Sequence, residues 1–203
     1  MIPIIVSFWG QKQEKLTLLE EHLRENNVPS WSYYFGFNGR GLKIREFKDV
    51  TYYGDPEELR GKAIGQHLTH WGLWASLKMA SERNQNDSMW TIIEDDFRFK
   101  ENWSKIYHDV MEDLPGDWDI VQFGNCCTLG LDLEKITDNL YKGGALCLHW
   151  YMIKRRALDI LLETNRMVQG RIDVQMLRQS YKHLNAYTVL PSIAGQADTE
   201  LAL

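Results

Sequence analysis

The stretch Met89-Trp90-Thr91-Ile92-Ile93-Glu94-Asp95-Asp96 joins a short apolar run directly to three acids. The polar segment Asn84 to Ser88 precedes it, so the run has the length and the boundaries of a buried strand. Three successive carboxylates repel one another unless something positive offsets them. In open α/β sheets, ligands collect beyond the carboxyl ends of strands. A hard divalent cation such as Mn2+ or Mg2+ takes oxygen ligands and also binds phosphate oxygens. The pattern therefore reads as a strand ending in a metal-binding corner, with Asp96 as the leading ligand and Glu94 as a second. Asp95 is expected to point elsewhere, because successive side chains of an extended segment alternate. A solvated acidic turn is the competing explanation, and the position after a buried strand weighs against it.

Upstream, Ile2 to Phe8 is another continuous apolar run and reads as a strand buried on both faces. Leu16, Leu19 and Leu23 recur at helical spacing, and Asn26-Asn27-Val28-Pro29 ends that helix. Trp31 to Phe37 is a second strand, stopped by Asn38-Gly39-Arg40-Gly41. A long helix follows over about 64–83, with Leu68, Trp71, Trp74, Leu77 and Ala80 on one face. Downstream, a helix near 102–113 leads to a strand over Trp118 to Phe123. A strand over Gly143 to Ile153 and a helix over Ala157 to Glu163 come next. A helix over Ile172 to Tyr181 and a strand over Ala186 to Leu190 close the pattern. The alternation predicts one α/β layer sandwich, with a mixed, mostly parallel sheet and helices on both faces.

A chain of 203 residues fits a single domain, and 44% hydrophobic with 25% charged residues sets aside disorder and coiled coil. The net charge of −5 is a poor start for non-specific nucleic-acid binding, although a local basic patch stays open. No apolar run approaches the roughly 20 residues of a membrane span, and Met1 to Trp9 lacks the features of a signal peptide. Cys126, Cys127 and Cys147 are odd in number and two are adjacent. They are expected to be buried free thiols in a reducing, cytoplasmic protein.

Several segments resemble glycosyltransferase family 25, the group of lipooligosaccharide-biosynthesis and collagen galactosyltransferases with the GT-A fold. The similar segments are Phe35-Gly-Phe-Asn-Gly-Arg-Gly-Leu42, Gly65-Gln-His-Leu-Thr-His-Trp-Gly-Leu-Trp74 and Trp90-Thr-Ile-Ile-Glu-Asp-Asp96. Asp117-Trp-Asp-Ile-Val-Gln-Phe-Gly124, Gly143 to Glu163, Arg171-Ile-Asp-Val174 and Pro191-Ser-Ile-Ala-Gly-Gln196 follow in order. Thr69 stands where the family has Ser, Gln66 and His67 precede it where smaller or apolar residues are usual, and the chain is short for the fold. Short, Trp-rich transferases of this shape also occur in large DNA viruses and phages.

The resemblance implies one Rossmann-like GT-A domain over 1–203, with a nucleotide-binding half (1–100) and an acceptor half (101–203). It implies transfer of a sugar from a nucleotide donor, with UDP expected, to a glycan, protein or other hydroxyl acceptor, with inversion. Val6, Ser7, Phe8, Asn38 and Gly39 would hold the nucleotide, together with Glu94 and Asp95. Asp96, Glu94, Gln196 and Asp198 would hold Mn2+ or Mg2+. His70 would reach the donor, and Asp173 would deprotonate the acceptor. An N-cap role is the alternative for Asp173, and Asp119 is the second choice of base. Arg40, Lys62 and Arg171 would add positive charge. A His67-x-x-His70 zinc site lacks a third ligand at suitable spacing. Two other classes remain open: a divalent-metal phosphotransferase or nuclease that recruits Asp117 and Asp119, and a non-catalytic nucleotide-sugar binding module.

Overall fold

The computed structural model describes residues 4–8, 13–39, 57–82, 88–128 and 130–197. In chain order the elements are β1 (Ile4–Phe8), α1 (Gln13–Glu25), β2 (Trp31–Phe35), α2 (Glu57–Glu82), β3 (Met89–Glu94), β4 (Phe97–Phe99), α3 (Trp103–Asp113) and β5 (Ile120–Gly124). Then come β6 (Glu134–Lys135), β7 (Leu140–Lys142), β8 (Trp150–Lys154), α4 (Ala157–Thr164), α5 (Ile172–Gln175), β9 (Ala186–Val189) and β10 (Ala194–Gln196). A π-helical turn, Met176–Ser180, continues α5.

The α/β class holds. Eight strands form one sheet in the order β2-β1-β3-β8-β5-β9-β7-β6, and β10 pairs with β4 separately. β1 runs parallel to β2 and β3, and β5 runs parallel to β9. The pairs β3–β8, β5–β8, β7–β9 and β6–β7 are antiparallel. The sheet is therefore mixed but not mostly parallel, which corrects the sequence expectation. The reason lies in β8. It is buried along its whole length between β3 and β5, so its apolar run carries no alternation from which direction could be read.

Alternating side chains divide the core between two faces. Ile92, Ile120, Tyr151 and Ile153 pack with Leu73, Trp74 and Leu77 of α2, Leu158 and Leu161 of α4, and Ile172 of α5. Ile93, Val121, Phe123, Trp150 and Met152 pack with Leu19 and Leu23 of α1 and Val110 of α3 on the other face. Helices cover both faces, as expected. α1 stops because Asn27 adopts a left-handed φ of 56°. The amides of Val28 and Asn27 then bond back to the carbonyls of Leu23 (2.9 Å) and Arg24 (3.0 Å), closing the helix end.

The strand expected over Gly143 to Ile153 is shorter than predicted. Only Trp150–Lys154 is strand; the residues before it form an irregular segment tied down by side chains. The buried Gln122 amide of β5 donates to the Ala145 and Cys147 carbonyls at 3.0 and 2.9 Å, and its oxygen accepts from the Ala145 amide at 2.7 Å. The cysteine expectation is corrected too. Cys126 and Cys147 form a disulfide with Cα atoms 5.7 Å apart, and Cys127 alone is free and exposed. The exit of β5 and the entry of antiparallel β8 lie at one rim, which brings the two cysteines together. Among the described residues, no helix is long and apolar enough to cross a membrane.

Candidate metal centre

Three strands end at the same rim. Ser7 of β1 sits in register with Glu94 of β3, and Phe8 sits beside Phe35 of β2. Because β8 is antiparallel to β3, the residue that enters β8, His149, lies beside the residue that ends β3. The Glu94 amide donates to the His149 carbonyl at 3.1 Å. The sheet thus brings a histidine to the acidic corner from a distant part of the chain.

Glu94 is 4% exposed and its carboxylate is surrounded by donors. Gln66 Nε2 of α2 donates to Oε1 at 2.6 Å, and His70 Nε2 lies 3.4 Å from the same oxygen. His149 Nδ1 lies 3.1 Å from Oε2. Burial would raise the Glu94 carboxyl, but the hydrogen bonds and charges of His149 and His70 outweigh it and hold the group well below the usual carboxylate range. His149 moves the other way. Burial would lower it, and the hydrogen bond and charge of Glu94 lift it above the ordinary histidine value.

The proton on His70 follows from its partners. Trp74 Nε1 donates to the Tyr151 hydroxyl at 3.0 Å, and that hydroxyl lies 2.9 Å from His70 Nδ1. The ionised Glu94 carboxylate only accepts, so Nε2 carries the proton that faces it, and in the neutral ring Nδ1 then accepts from the Tyr151 hydroxyl. Both ring nitrogens are thereby occupied, and the fully buried His70 acts on Glu94 rather than facing open space. His67 turns away, its Nε2 2.8 Å from the Asn165 carbonyl. Burial lowers its affinity for a proton.

Asp96 is different. Gln196 Nε2 donates to its Oδ2 at 3.1 Å, and the Ala197 amide donates to its main-chain carbonyl at 2.8 Å. Its Oδ1 is buried without a hydrogen-bond partner. Burial, helped by the neighbouring charges of Glu94 and Asp95, pushes its carboxyl up to about 7. Ligand atoms of Glu94, Asp96 and His149 all lie within 4.8 Å of one another. Two carboxylates and an imidazole fit a divalent cation, and the unpartnered Oδ1 is the atom such an ion would satisfy. The imidazole favours Mn2+ over Mg2+, which prefers oxygen alone.

The other predicted residues fall as follows. Gln196 reaches Asp96 because β10 pairs antiparallel with β4, placing Gln196 opposite Phe97. Asp95 is half-buried in the turn after β3 and is not one of the three clustered ligands. Asn38 and Gly39 follow β2. A Cβ on Gly39 would stand 1.7 Å from the Gly61 carbonyl oxygen, so this glycine is explained by close packing of the loop on α2. Thr69 secures the same contact, accepting from the Phe37 amide at 2.9 Å and donating to the Gly65 carbonyl at 2.7 Å. Lys62 lies in α2, while Arg40 and Asp198 lie outside the described residues.

Asp173 is 3% exposed, in the first turn of α5. Its Oδ2 accepts from the Cys147 amide at 3.0 Å and from Arg171 Nη2 at 3.1 Å, and its Oδ1 accepts from the Val174 amide at 2.9 Å. Arg171, not Asp173, holds the N-cap position. Asp119 immediately precedes β5, at the opposite rim. It is bound by Arg156 Nε and by the Asn185 amide at 2.7 Å. Its position at the rim opposite the acidic corner, not its hydrogen bonding, sets this second choice of base aside. A separate cavity of about 360 Å³ lies on the α1/α3 face, walled by Phe99, Trp103, Tyr107 and Trp150.

His149 is the residue that sequence reasoning missed. The signal was a histidine at the threshold of a buried strand, which matters only once β8 is known to run against β3.

No protein-family model matches the chain, and no curated protein matches it. Among solved structures it is similar to a glycosyltransferase involved in the glycosylation of the major capsid of PBCV-1, at 13% identity and a TM-score of 0.38. That match covers 79% of this chain and 63% of the other, so the chain spans less than two thirds of that protein's crystallised length. It is also similar to A197 from STIV, at 14% identity and a TM-score of 0.44, covering 93% of this chain and 81% of that one. Likenesses at this level carry no inference about activity.

Proposed function

We propose that this chain is a divalent-metal-dependent glycosyltransferase that takes its sugar from a nucleotide donor, with UDP the expected nucleotide. The observation that carries the reading is the buried, unpartnered Asp96 Oδ1 beside His149 and Glu94, at the rim where β1, β2 and β3 end. The motif series resembling glycosyltransferase family 25 supports the same conclusion from the sequence.

In this reading Asp96 and His149 hold Mn2+, and Glu94 orients His149 and supplies negative charge. A bound divalent cation supplies charge neutralisation for a departing diphosphate. The residues of the chain do the rest. Gln66, His70 and Tyr151 fix Glu94, so the acidic corner is set before any ligand arrives. The ends of β1 and β2, with Val6, Ser7, Phe8, Asn38 and Gly39, offer backbone to the base and ribose. Asp173 is the proposed acceptor base, kept buried and oriented by the Cys147 amide and Arg171. The acceptor is a glycan, protein or other hydroxyl compound. Action in the cytoplasm, part of the same reading, requires the Cys126–Cys147 pair to open there.

Titration calorimetry of UDP tests this. Binding should require Mn2+ and vanish in Asp96→Asn. UDP binding of equal strength without metal and in that variant would reject the reading. Asp173→Asn should retain UDP binding and lose transfer by about 10²-fold or more.

A further inference from the structure

A second group of ligating side chains adjoins the first. Cys126, Cys147 and His149 bring two sulfurs and a ring nitrogen within 4.8 Å of one another. The group is built on fixed backbone. Gln122 clamps the carbonyls of Ala145 and Cys147, Asp173 takes the Cys147 amide, and the Glu94 amide takes the His149 carbonyl. The Cys126 amide also donates to the Leu146 carbonyl at 3.3 Å, tying the two cysteine-bearing segments together apart from the sulfurs. Two of the three residues are buried, while Cys126 is exposed and gives solvent a way in. His149 belongs to both groups, the one of carboxylates and the one of sulfurs.

We propose that, with the disulfide opened, Cys126, Cys147 and His149 form a thiolate–imidazole site for a thiophilic divalent ion such as Zn2+, and that ion and disulfide exclude each other. Two thiolates and one imidazole are a donor set suited to Zn2+ or Co2+, and three protein ligands leave the fourth tetrahedral position to water. The chemistry balances with a phosphine as reductant. Phosphorus gives two electrons, the S–S bond breaks, and water supplies the oxygen that ends on phosphorus and the two protons that end on sulfur. The arriving ion then displaces those two protons to solvent. The site shares His149 with the proposed manganese centre, but its test reads sulfur ligation and no nucleotide, so its failure and the failure of the glycosyltransferase reading are distinguishable.

Co2+ is the probe. The protein is reduced with a phosphine under anaerobic conditions, freed of reductant and titrated with Co2+. The expected result is a near-ultraviolet thiolate-to-cobalt charge-transfer band that saturates at about one equivalent per chain and is bleached by Zn2+. It should be absent from unreduced protein, lost in Cys126→Ser and in Cys147→Ser, and unchanged in Cys127→Ser and Asp96→Asn. His149→Gln should weaken binding by roughly tenfold or more, at least what losing a mere supporting partner costs. A reduced wild-type protein with no such band overturns the proposal, as does a band of equal strength before reduction. A band that survives both cysteine substitutions also overturns it. The comparison of reduced with unreduced wild type decides the matter even if a cysteine variant fails to fold.

Discussion

Two buried acidic sites sit at opposite rims of the same sheet, and they are built to opposite ends. At the start of β5, Asp119 has both oxygens bound, one by Arg156 and one by the Asn185 amide. At the end of β3, Asp96 has one oxygen on Gln196 and the other on nothing. The first carboxylate closes a local network and has no capacity left. The second has an oxygen left without a partner, and burial, helped by its neighbours Glu94 and Asp95, makes the anionic form costly. Acidity alone therefore does not mark a site; unsatisfied capacity does. Glu94 is instructive beside both. Its carboxylate accepts from Gln66, His70 and His149, so its part is to hold the two histidines in place.

The largest effect should come from Glu94→Ala. That change strips the acceptor from Gln66, His70 and His149 at once. We expect a loss of about 3–5 kcal/mol in denaturant unfolding, as for a buried pair broken on one side. A loss below about 1 kcal/mol would mean the donors find other partners. Asp119→Ala should cost about 2–3 kcal/mol, less because Arg156 is partly exposed. It should leave untouched the rise in Tm that Mn2+ binding at the other rim is expected to give. If Asp119→Ala abolished that rise, the contrast between the rims would collapse.

Asp96→Asn should change stability in the opposite direction. The folded carboxyl is raised from the ordinary value of 3.8 to about 7, so its favourable contribution is complete below about pH 4 and is lost as pH rises through 7. Metal-free Asp96→Asn should accordingly gain on wild type by up to about 4 kcal/mol between pH 4 and pH 8, read from paired melts. No gain, or a loss, would contradict the account of an uncompensated carboxylate. The smallest effect belongs to Gln196→Ala, which removes one hydrogen bond to Asp96. It should cost about 0.5–1.5 kcal/mol and shift Mn2+ affinity only a few fold. A complete loss of metal binding would make Gln196 a direct ligand, as its place in the sequence first suggested.

Much of this contrast was legible in the residues. The buried strand Met89 to Ile93 ending in Glu94-Asp95-Asp96 and the helix of Leu16, Leu19 and Leu23 form where periodicity puts them, and the long Trp-rich helix forms too but already begins at Glu57, before the expected Ile64, in a polar stretch without apolar periodicity. Asp96 and Gln196, far apart in the chain, also meet. What stayed hidden depends on strand direction. A strand covered on both faces looks alike whether it runs up or down, so β8 gave no sign that it opposes β3 and β5. His149, the Cys126–Cys147 pairing and the mixed sheet all follow from that one reversal. Asp119 misled for the same reason. Its distance from Glu94 along a sheet edge cannot be judged before the rims are known.

The central claim is that the acidic rim holds one divalent ion on Asp96 and His149. Anomalous diffraction from crystals soaked in Mn2+ tests it most directly. One strong manganese peak bonded to Asp96 Oδ1 and a ring nitrogen of His149 is the predicted result. Well-ordered side chains at this rim with no anomalous peak between them, at Mn2+ concentrations that raise Tm, would contradict it.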